Sequence, residues 1–458
     1  MKPEVLKRAL RFSVLDGCAY AFMAGGAESY LTAFAVHLGV PAFQVGLLSA
    51  VPQLVGSGAQ LGTPAGVRLV RGLKRWVVGL AGLQALVLAA VALVPLFGGD
   101  AFLPLLLLLT SYWTVVIAIG PAWTHWMALL VPAALRSAYF ARRNRWVHIC
   151  MFAGLAGAGI VLQRTAGLGI TTAGFTAIIL FGAAMRVVST VFLGLQAGPP
   201  ARELKRAESF ATFLKNLRQR REFRLLPFLW TMNFAVAIGA PYFVPYMLKD
   251  LGLSYWMFMV INGTAFLTKS LTMGLWGRMA RRLGARRSFA LAALLISPGP
   301  ALWAISGAPL YLCSLQVLAG FAWAGFELCQ LLLFYELVEE ERLSDVFSYH
   351  SLVNGFVMLA GTAIGGWVLA HPVLLDGYLQ IFILSTLVRV FPIITIFPTL
   401  RGLAIRHVKP LLPEIRVAGL VPEIGSRIFP VWFRQTRKRR GLGRKGGRRP
   451  PPDGAPGP

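Results

Sequence analysis

The stretch from Gly274 to Ser288 reads GLWGRMARRLGARRS and places five arginines between two long apolar runs. Positive charge that interrupts apolar sequence in this way is typical of a membrane protein, because Lys and Arg in short loops keep those loops on the cytoplasmic side. The same charges can contact anionic lipid headgroups. The stretch therefore predicts an inner loop between two transmembrane helices.

Apolar runs of membrane-spanning length recur along the whole chain. Of its 458 residues, 56% are hydrophobic and only 14% are charged, which leaves little polar surface for a soluble protein. Runs of about 20 apolar residues predict helices, since a helix satisfies its own backbone groups in lipid. The predicted spans, twelve in all, are 13–37, 43–66, 76–97, 101–130, 146–163, 169–195, 225–248, 254–277, 288–306, 309–335, 346–370 and 377–400.

The basic residues sort the loops into two sets. If the N-terminus is cytoplasmic, the inner segments and the two termini hold 40 of the 45 Lys and Arg residues, whereas the outer loops hold only Arg164 and Lys249. This bias predicts that both termini are cytoplasmic. It also explains the net charge of +27 as a topology signal, so nucleic acid is not an expected partner. Anionic lipid headgroups are expected at the inner loops and at the tail.

The two halves of the chain resemble each other. YLTAFAVHLG at 30–39 is matched by YFVPYMLKDLG at 242–252, and Met185-Arg186-Val187 is matched by Val388-Arg389-Val390. The offset drifts from 212 to 203 residues along the chain. Parallel repeats of this kind predict two six-helix bundles with a site between them near mid-membrane. The expected organisation is an N-terminal bundle (1–195), a basic cytoplasmic linker (196–224), a C-terminal bundle (225–400) and a basic cytoplasmic tail (401–458).

The stretch quoted first also carries a family resemblance. Residues 277–287 read GRMARRLGARR and are similar to the loop motif GxxxDRxGRR of the major facilitator superfamily. PAWTHWM (121–127), YFARRNR (139–145) and GFAWAGFEL (320–328) resemble a bacterial subgroup of that superfamily. The resemblance covers about residues 10–400. It implies an all-α membrane protein with twelve transmembrane helices in two pseudo-symmetric bundles, which rock around a central cavity and are usually driven by an ion gradient. We expect a monomer in a bacterial inner membrane.

The loop motif departs from the superfamily pattern at one point. Its aspartate position holds Arg281, so the latch that this aspartate gives the cytoplasmic gate in the family is in doubt. Acidic residues follow span ten instead, and we hypothesise that Arg281 and Arg282 pair with Glu339 or Glu341 when the inner side is closed. A solvated charged loop is the alternative, and an exposed pair contributes only about 0–1 kcal/mol.

Charged residues inside the spans are the candidate site residues, since an ionised group at the bilayer centre costs roughly 2.5–3.5 kcal/mol on insertion scales. Glu28 in span one is a candidate proton carrier, because a desolvated carboxylate takes up a proton more readily. Glu327 in span ten is a second candidate. Lys269 in span eight is placed either to neutralise Glu327 or to bind an anionic substrate. The alternatives are a hydrogen-bonded structural carboxyl and a structural ion pair.

Other polar and aromatic residues receive weaker assignments. Arg186 and Arg389 occupy repeat-related places, which favours a structural role such as snorkelling or pairing with backbone ends. Asp16 is expected at the membrane interface. Packing is the alternative for each of the cavity candidates, which are Tyr112, Trp113, His125, Asn233, Tyr242 and Trp323.

Motifs of catalysis are absent from the sequence. It contains no GxSxG, no HExxH and no nucleotide-binding Walker loop, so we expect neither an enzyme nor ATP-driven transport. No cofactor or metal is expected. The leading hypothesis is secondary active transport of a small molecule, coupled to protons. The alternative is a non-transporting membrane scaffold or assembly factor on the same fold.

Overall fold

A computed structural model describes residues 3–198, 210–217, 225–338, 343–373 and 376–401. All regular secondary structure in these ranges is helical. Most of the predicted linker and the tail beyond residue 401 lie outside the described residues, as do Glu339 and Glu341.

Twelve helices of the described chain fall on the predicted spans and are numbered in order. They are α1 (Pro3–Gly26), α2 (Ala42–Gln60), α3 (Leu73–Ala92), α4 (Phe102–Leu130), α5 (Ala133–Gly167), α6 (Thr171–Leu195), α7 (Leu225–Gly239), α8 (Tyr255–Leu283), α9 (Ala285–Ile296), α10 (Pro309–Leu337), α11 (Leu343–Ala370) and α12 (Gly377–Arg401).

Short helical segments extend five of these helices. Glu28–Tyr30 and Leu31–His37 follow α1, Thr63–Leu69 follows α2, Val94–Phe97 follows α3, the segments from Ala240 to Asp250 follow α7, and Gly299–Leu302 follows α9. By length and composition, eight helical stretches of the described residues are each able to cross a membrane. They lie in α3 to α7, the last with its extension, and in α10 to α12. Helix α9 has only 12 residues without its extension. Helices α1 and α2 have 24 and 19 residues, so composition and not length excludes them, and α8 carries charged residues.

The helices pack as two bundles with the same internal arrangement. In the first half, α1 packs on α5 and α6, α2 on α4, and α3 on α4 and α6. In the second half, α7 packs on α11 and α12, α8 on α10, and α9 on α10 and α12. Each pair in one half therefore has its counterpart six helices later. The halves contact each other where α2 packs on α11 and α5 on α8.

The repeat extends to single hydrogen bonds. Tyr30 ends the short 3-10 turn after α1, and its hydroxyl donates to the carbonyl oxygen of Leu155 in α5 at 2.9 Å. Tyr242 ends the equivalent turn after α7, and its hydroxyl donates to the carbonyl oxygen of Thr362 in α11 at 2.7 Å. Both rings are fully buried. A bond that satisfies a buried hydroxyl is thus used twice, once in each bundle.

Close helix approach is repeated in the same way. A Cβ atom on Gly154 of α5 would lie 2.6 Å from the carbonyl oxygen of Phe22 in α1. A Cβ atom on Gly361 of α11 would lie 2.5 Å from the carbonyl oxygen of Phe234 in α7. Glycine at these two sites lets the backbones of neighbouring helices approach, as small residues do in membrane helix packing.

Among the described residues, the buried core that the two bundles share lies at one end of the protein. We call the end that carries the Lys- and Arg-rich loops the basic end, and the opposite end the far end. At the far end, one apolar cluster includes residues of both halves, and the rings of Tyr30 and Phe258 lie 5.7 Å apart. Lys249 Nζ also donates to the carbonyl oxygen of Val40 across the halves at 3.0 Å. At the basic end, the described buried residues form two clusters, one in each half, around Trp126 and Trp276.

A helix within the predicted linker packs on the second half. It spans Phe210–Leu217, and the Phe213 side chain is fully buried. Its ring lies 4.9 Å from that of Tyr349 in α11. This part of the predicted linker is therefore docked against the second bundle by apolar packing.

Candidate functional site

Glu28 is the polar centre of a cavity in the first half. The carboxylate lies in the turn after α1 and borders a cavity of about 130 Å³ between the segments that follow α1 and the helices α2 and α4. The Tyr112 hydroxyl donates a hydrogen bond to it, and Gln84 Nε2 of α3 donates to the Tyr112 oxygen at 2.9 Å. Trp113 borders the same cavity. Among the described residues, Tyr112 is the hydrogen-bond partner of Glu28, so the carboxylate keeps acceptor capacity for a proton or a ligand in the cavity.

Sequence reasoning missed Gln84. It is the only polar side chain between Val77 and Phe97, and that isolation within an apolar run was the available signal. Buried polar groups in a membrane helix need partners, and here the amide fixes the orientation of the Tyr112 hydroxyl that contacts Glu28. The pairing itself could not be read from the sequence, because the two residues belong to different helices.

Asp16 is buried within the protein, and its expected place at the membrane interface stays a prediction. It is 3% exposed, accepts a hydrogen bond from Ser189 Oγ at 2.7 Å, and lies 3.7 Å from Arg143 Nη2. Arg186 Nη1 donates to the same serine at 2.8 Å, and its guanidinium lies 5.0 Å from the Tyr20 ring centroid. Arg186 is also 3% exposed, so it does not snorkel. A cavity of about 310 Å³ in the first half is bordered by Asp16, Tyr20, Arg143 and Arg186.

The second half contains a larger cavity of about 450 Å³, bordered by α7, α8, α9, α10 and α12. Lys269 Nζ and a Glu327 carboxylate oxygen lie 2.6 Å apart at this cavity, so Lys269 neutralises Glu327 in this conformation. Their side chains are 31% and 46% exposed, so the pair is not sealed off by protein. Trp323 and Arg389 border the same cavity. Arg389 is 4% exposed, and its Nη1 donates to the carbonyl oxygen of Ile296 at 2.8 Å.

The remaining cavity candidates are not brought to these cavities. Asn233 Nδ2 donates to Asn354 Oδ1 at 2.6 Å and so ties α7 to α11. Tyr242 is the buried ring that bonds the Thr362 carbonyl. His125 is half-buried and borders none of the three cavities described. Of the six aromatic and polar candidates, the structure therefore places Tyr112 and Trp113 with Glu28, and Trp323 with the Lys269–Glu327 pair.

The gate candidates are described only in part. Arg281 and Arg282 are exposed near the end of α8, and their hypothesised partners lie outside the described residues, so that pairing stays a prediction. The ion pair that is described at this end joins Arg286 Nη2 to Glu336 Oε1 at 2.8 Å. It connects the start of α9 to the end of α10 within the second half.

Comparison with known proteins supports the predicted resemblance. Residues 225–402 match a family model described as Major Facilitator Superfamily. No curated protein matches the sequence.

Solved structures share the fold over both halves. A mutant form of the nucleoside transporter NupG gives a TM-score of 0.66 at 14% identity and covers 86% of this chain and 99% of that chain. A bacterial homologue of the iron transporter ferroportin in an inward-facing state gives 0.60 at 15%, covering 88% and 100%. A bacterial homologue of the human lysosomal transporter Spinster, inward-facing and unoccupied, gives 0.59 at 13%, covering 88% and 98%. The predicted fold class, an all-α membrane protein with the major facilitator fold, is confirmed by these matches, while the count of twelve transmembrane helices stays a prediction.

Proposed function

On the premise that this chain has the fold of the major facilitator superfamily, we propose that it is a secondary active transporter that couples a small molecule to protons. The observation that carries the proposal is the Glu28 carboxylate, which borders a cavity and has Tyr112 as its hydrogen-bond partner. Acidic residues within membrane helices are costly and mark proton or substrate pathways. The structurally similar proteins are named as transporters, which supports the same conclusion.

The packing of the two bundles supports alternating access. The halves share a core at the far end and have separate cores at the basic end. If the basic end is cytoplasmic, as the loop charges predict, this arrangement is inward-facing. We therefore place the protein in a bacterial inner membrane with both termini cytoplasmic, and propose that the bundles rock about the far-end contact.

The charged groups of the two halves take different roles in this proposal. Glu28 binds the transported proton, with the Tyr112 hydroxyl holding its carboxylate in place. Glu327 and Lys269 form a partly exposed pair that opens when Glu327 is protonated or when an anion takes its place beside Lys269. Trp113 and Trp323 shape the two cavities.

Proton movement in proteoliposomes tests the proposal. Purified protein is reconstituted with an internal pH-sensitive dye, and a compound library is screened for proton movement that depends on compound. We expect Glu28→Gln to lower this signal at least tenfold and Glu28→Asp to retain part of it, because aspartate keeps the carboxylate. Glu4→Gln is the control, since the Glu4 side chain is 83% exposed and, among the described residues, pairs with Lys7 on its own helix.

The outcomes separate the alternatives. Unchanged proton coupling in both Glu28→Gln and Glu327→Gln would remove the site assignment. Compound uptake without proton movement in the unmodified protein would leave transport and reject the proton as the coupling ion. A folded protein that moves no compound of a broad library would favour the non-transporting scaffold.

A further inference from the structure

The two repeat-related arginines differ in how their charge is compensated. In the first half, Arg186 donates to Ser189, which in turn donates to the Asp16 carboxylate. In the second half, the hydrogen bond of Arg389 goes to the backbone carbonyl of Ile296. None of the carboxylates in the described residues lies within ion-pair distance of Arg389, although its side chain is almost fully buried.

The sequence repeat explains this difference. The offset of 212 residues that aligns Tyr30 with Tyr242 places Phe228 where the first half has Asp16. Phe228 is 5% exposed and packs edge-on against Phe289, with 5.4 Å between the ring centroids. The second half therefore keeps the arginine and lacks the internal carboxylate that accompanies it in the first half.

The cavity beside Arg389 carries a surplus of positive charge. Its ionisable residues within the described chain are Lys269, Glu327 and Arg389, and the first two form an ion pair. A buried charge without a counterion is costly, because the loss of hydration is not repaid by a partner. An anion from solution that enters the cavity would supply the missing compensation.

The walls of the cavity indicate the chemistry of that anion. The planar guanidinium of Arg389 presents a fork of N–H donors. This geometry suits a carboxylate better than the point charge of a lysine ammonium does. Aromatic side chains border the remainder, among them Phe243, Trp303 and Trp323, and Asn262 and Gln316 add two amides. The volume of about 450 Å³ lies in the range of small-molecule pockets.

We propose that the second-half cavity binds a small organic carboxylate with an aromatic or apolar body, and that Arg389 contacts the carboxylate. This assignment replaces the purely structural role that the repeat suggested for Arg389. It deepens the proposed function, since the anion would be the cargo. Binding is measured at equilibrium without a proton gradient, so failure of this proposal and failure of proton coupling are separate results.

Calorimetry with a simple aromatic acid tests the site. Benzoate is titrated into the full-length protein in lipid nanodiscs, with benzamide as a neutral compound of the same shape. We expect saturable binding of benzoate and at least tenfold weaker binding of benzamide. Arg389→Gln should weaken benzoate binding at least tenfold, whereas the repeat-related variant Arg186→Gln should leave it within about twofold.

A second variant protects the test against misfolding. Ala319 borders the cavity, and Ala319→Phe occupies part of it while leaving Arg389 in place. We expect this variant to lose benzoate binding with an unchanged melting temperature. Equal affinity for benzoate and benzamide would overturn the proposal. So would the absence of benzoate binding by the folded unmodified protein, or full retention of binding in Ala319→Phe.

Discussion

Replacing Gly154 by alanine tests the repeated close contact between helices. The added Cβ would lie 2.6 Å from the carbonyl oxygen of Phe22, closer than real Cβ contacts allow. Because the neighbour is backbone, it cannot rotate away, and the helices must separate. Overpacking of this kind costs about 1–3 kcal/mol. Alanine also favours a helix over glycine by about 1 kcal/mol, which offsets part of that cost.

A matched control on the same helix separates these two effects. Gly157 is exposed, and a Cβ added there meets no atom within 4 Å. Gly157→Ala should therefore show the helix-propensity gain alone. The difference in unfolding free energy between Gly154→Ala and Gly157→Ala then isolates the clash, which we expect to be about 1–3 kcal/mol.

The measurement is the free energy of unfolding from denaturant titration in mixed micelles, followed by circular dichroism. Gly361→Ala in the second half should behave like Gly154→Ala, since its Cβ would lie 2.5 Å from the Phe234 carbonyl oxygen. Equal stability of Gly154→Ala and Gly157→Ala would refute the close approach of α1 and α5. A destabilised Gly154→Ala beside an unaffected Gly361→Ala would refute the equivalence of the two bundles at this contact.

Two further predictions use the same titration. Asp16→Asn or Arg143→Gln removes one partner of a buried pair and is expected to lower the free energy of unfolding by about 3–5 kcal/mol. The double variant should lose less than the sum of the two single losses. Strictly additive losses would show that the two residues do not interact. Phe213→Ala should lower the free energy of unfolding by about 3–5 kcal/mol, because it leaves a cavity where the linker helix is buried. Leu214→Ala, at a side chain that is 45% exposed, should cost less than about 1 kcal/mol. Equal losses would contradict the docking of this helix.

The helices and the repeat could be predicted from the sequence, because both produce patterns among residues that are close together along the chain. Apolar runs indicate the helices, and Tyr30 and Tyr242 occupy equivalent positions of the repeat. In the structure these two tyrosines make the equivalent hydrogen bonds to α5 and α11. Glu28, Glu327 and Lys269 were identified because a charge within an apolar run is conspicuous, and Lys269 was offered as a partner of Glu327.

The contacts of Asp16 could not be predicted, for two physical reasons. Hydropathy gives the depth of a residue in a span but not the helices around it, so the sequence does not show that Asp16 is buried against neighbouring helices. Its partner Arg143 was assigned to a loop, because polar residues from Arg136 to Arg145 lower the local hydropathy. In the structure α5 begins at Ala133, and its first turns carry Arg143 to Asp16 against the side of α1.

The apolar contact between the halves at the far end limits what any bound molecule can do. To shift the populations of two orientations from 1:99 to 99:1, a ligand must bind the favoured orientation about 5.5 kcal/mol more tightly than the other. Burying one large apolar side chain contributes roughly 1.5–3 kcal/mol, and the shared cluster joins many, including Tyr30, Phe34, Phe258 and Met259. Separating this cluster without forming another apolar contact would cost more free energy than the binding of a small molecule supplies. If the bundles rock as proposed, the outward-facing orientation must therefore bury a comparable apolar contact between the halves at the basic end. Truncating one aromatic side chain of the far-end cluster would shift the equilibrium between the inward- and outward-facing orientations and leave both charged cavities unchanged.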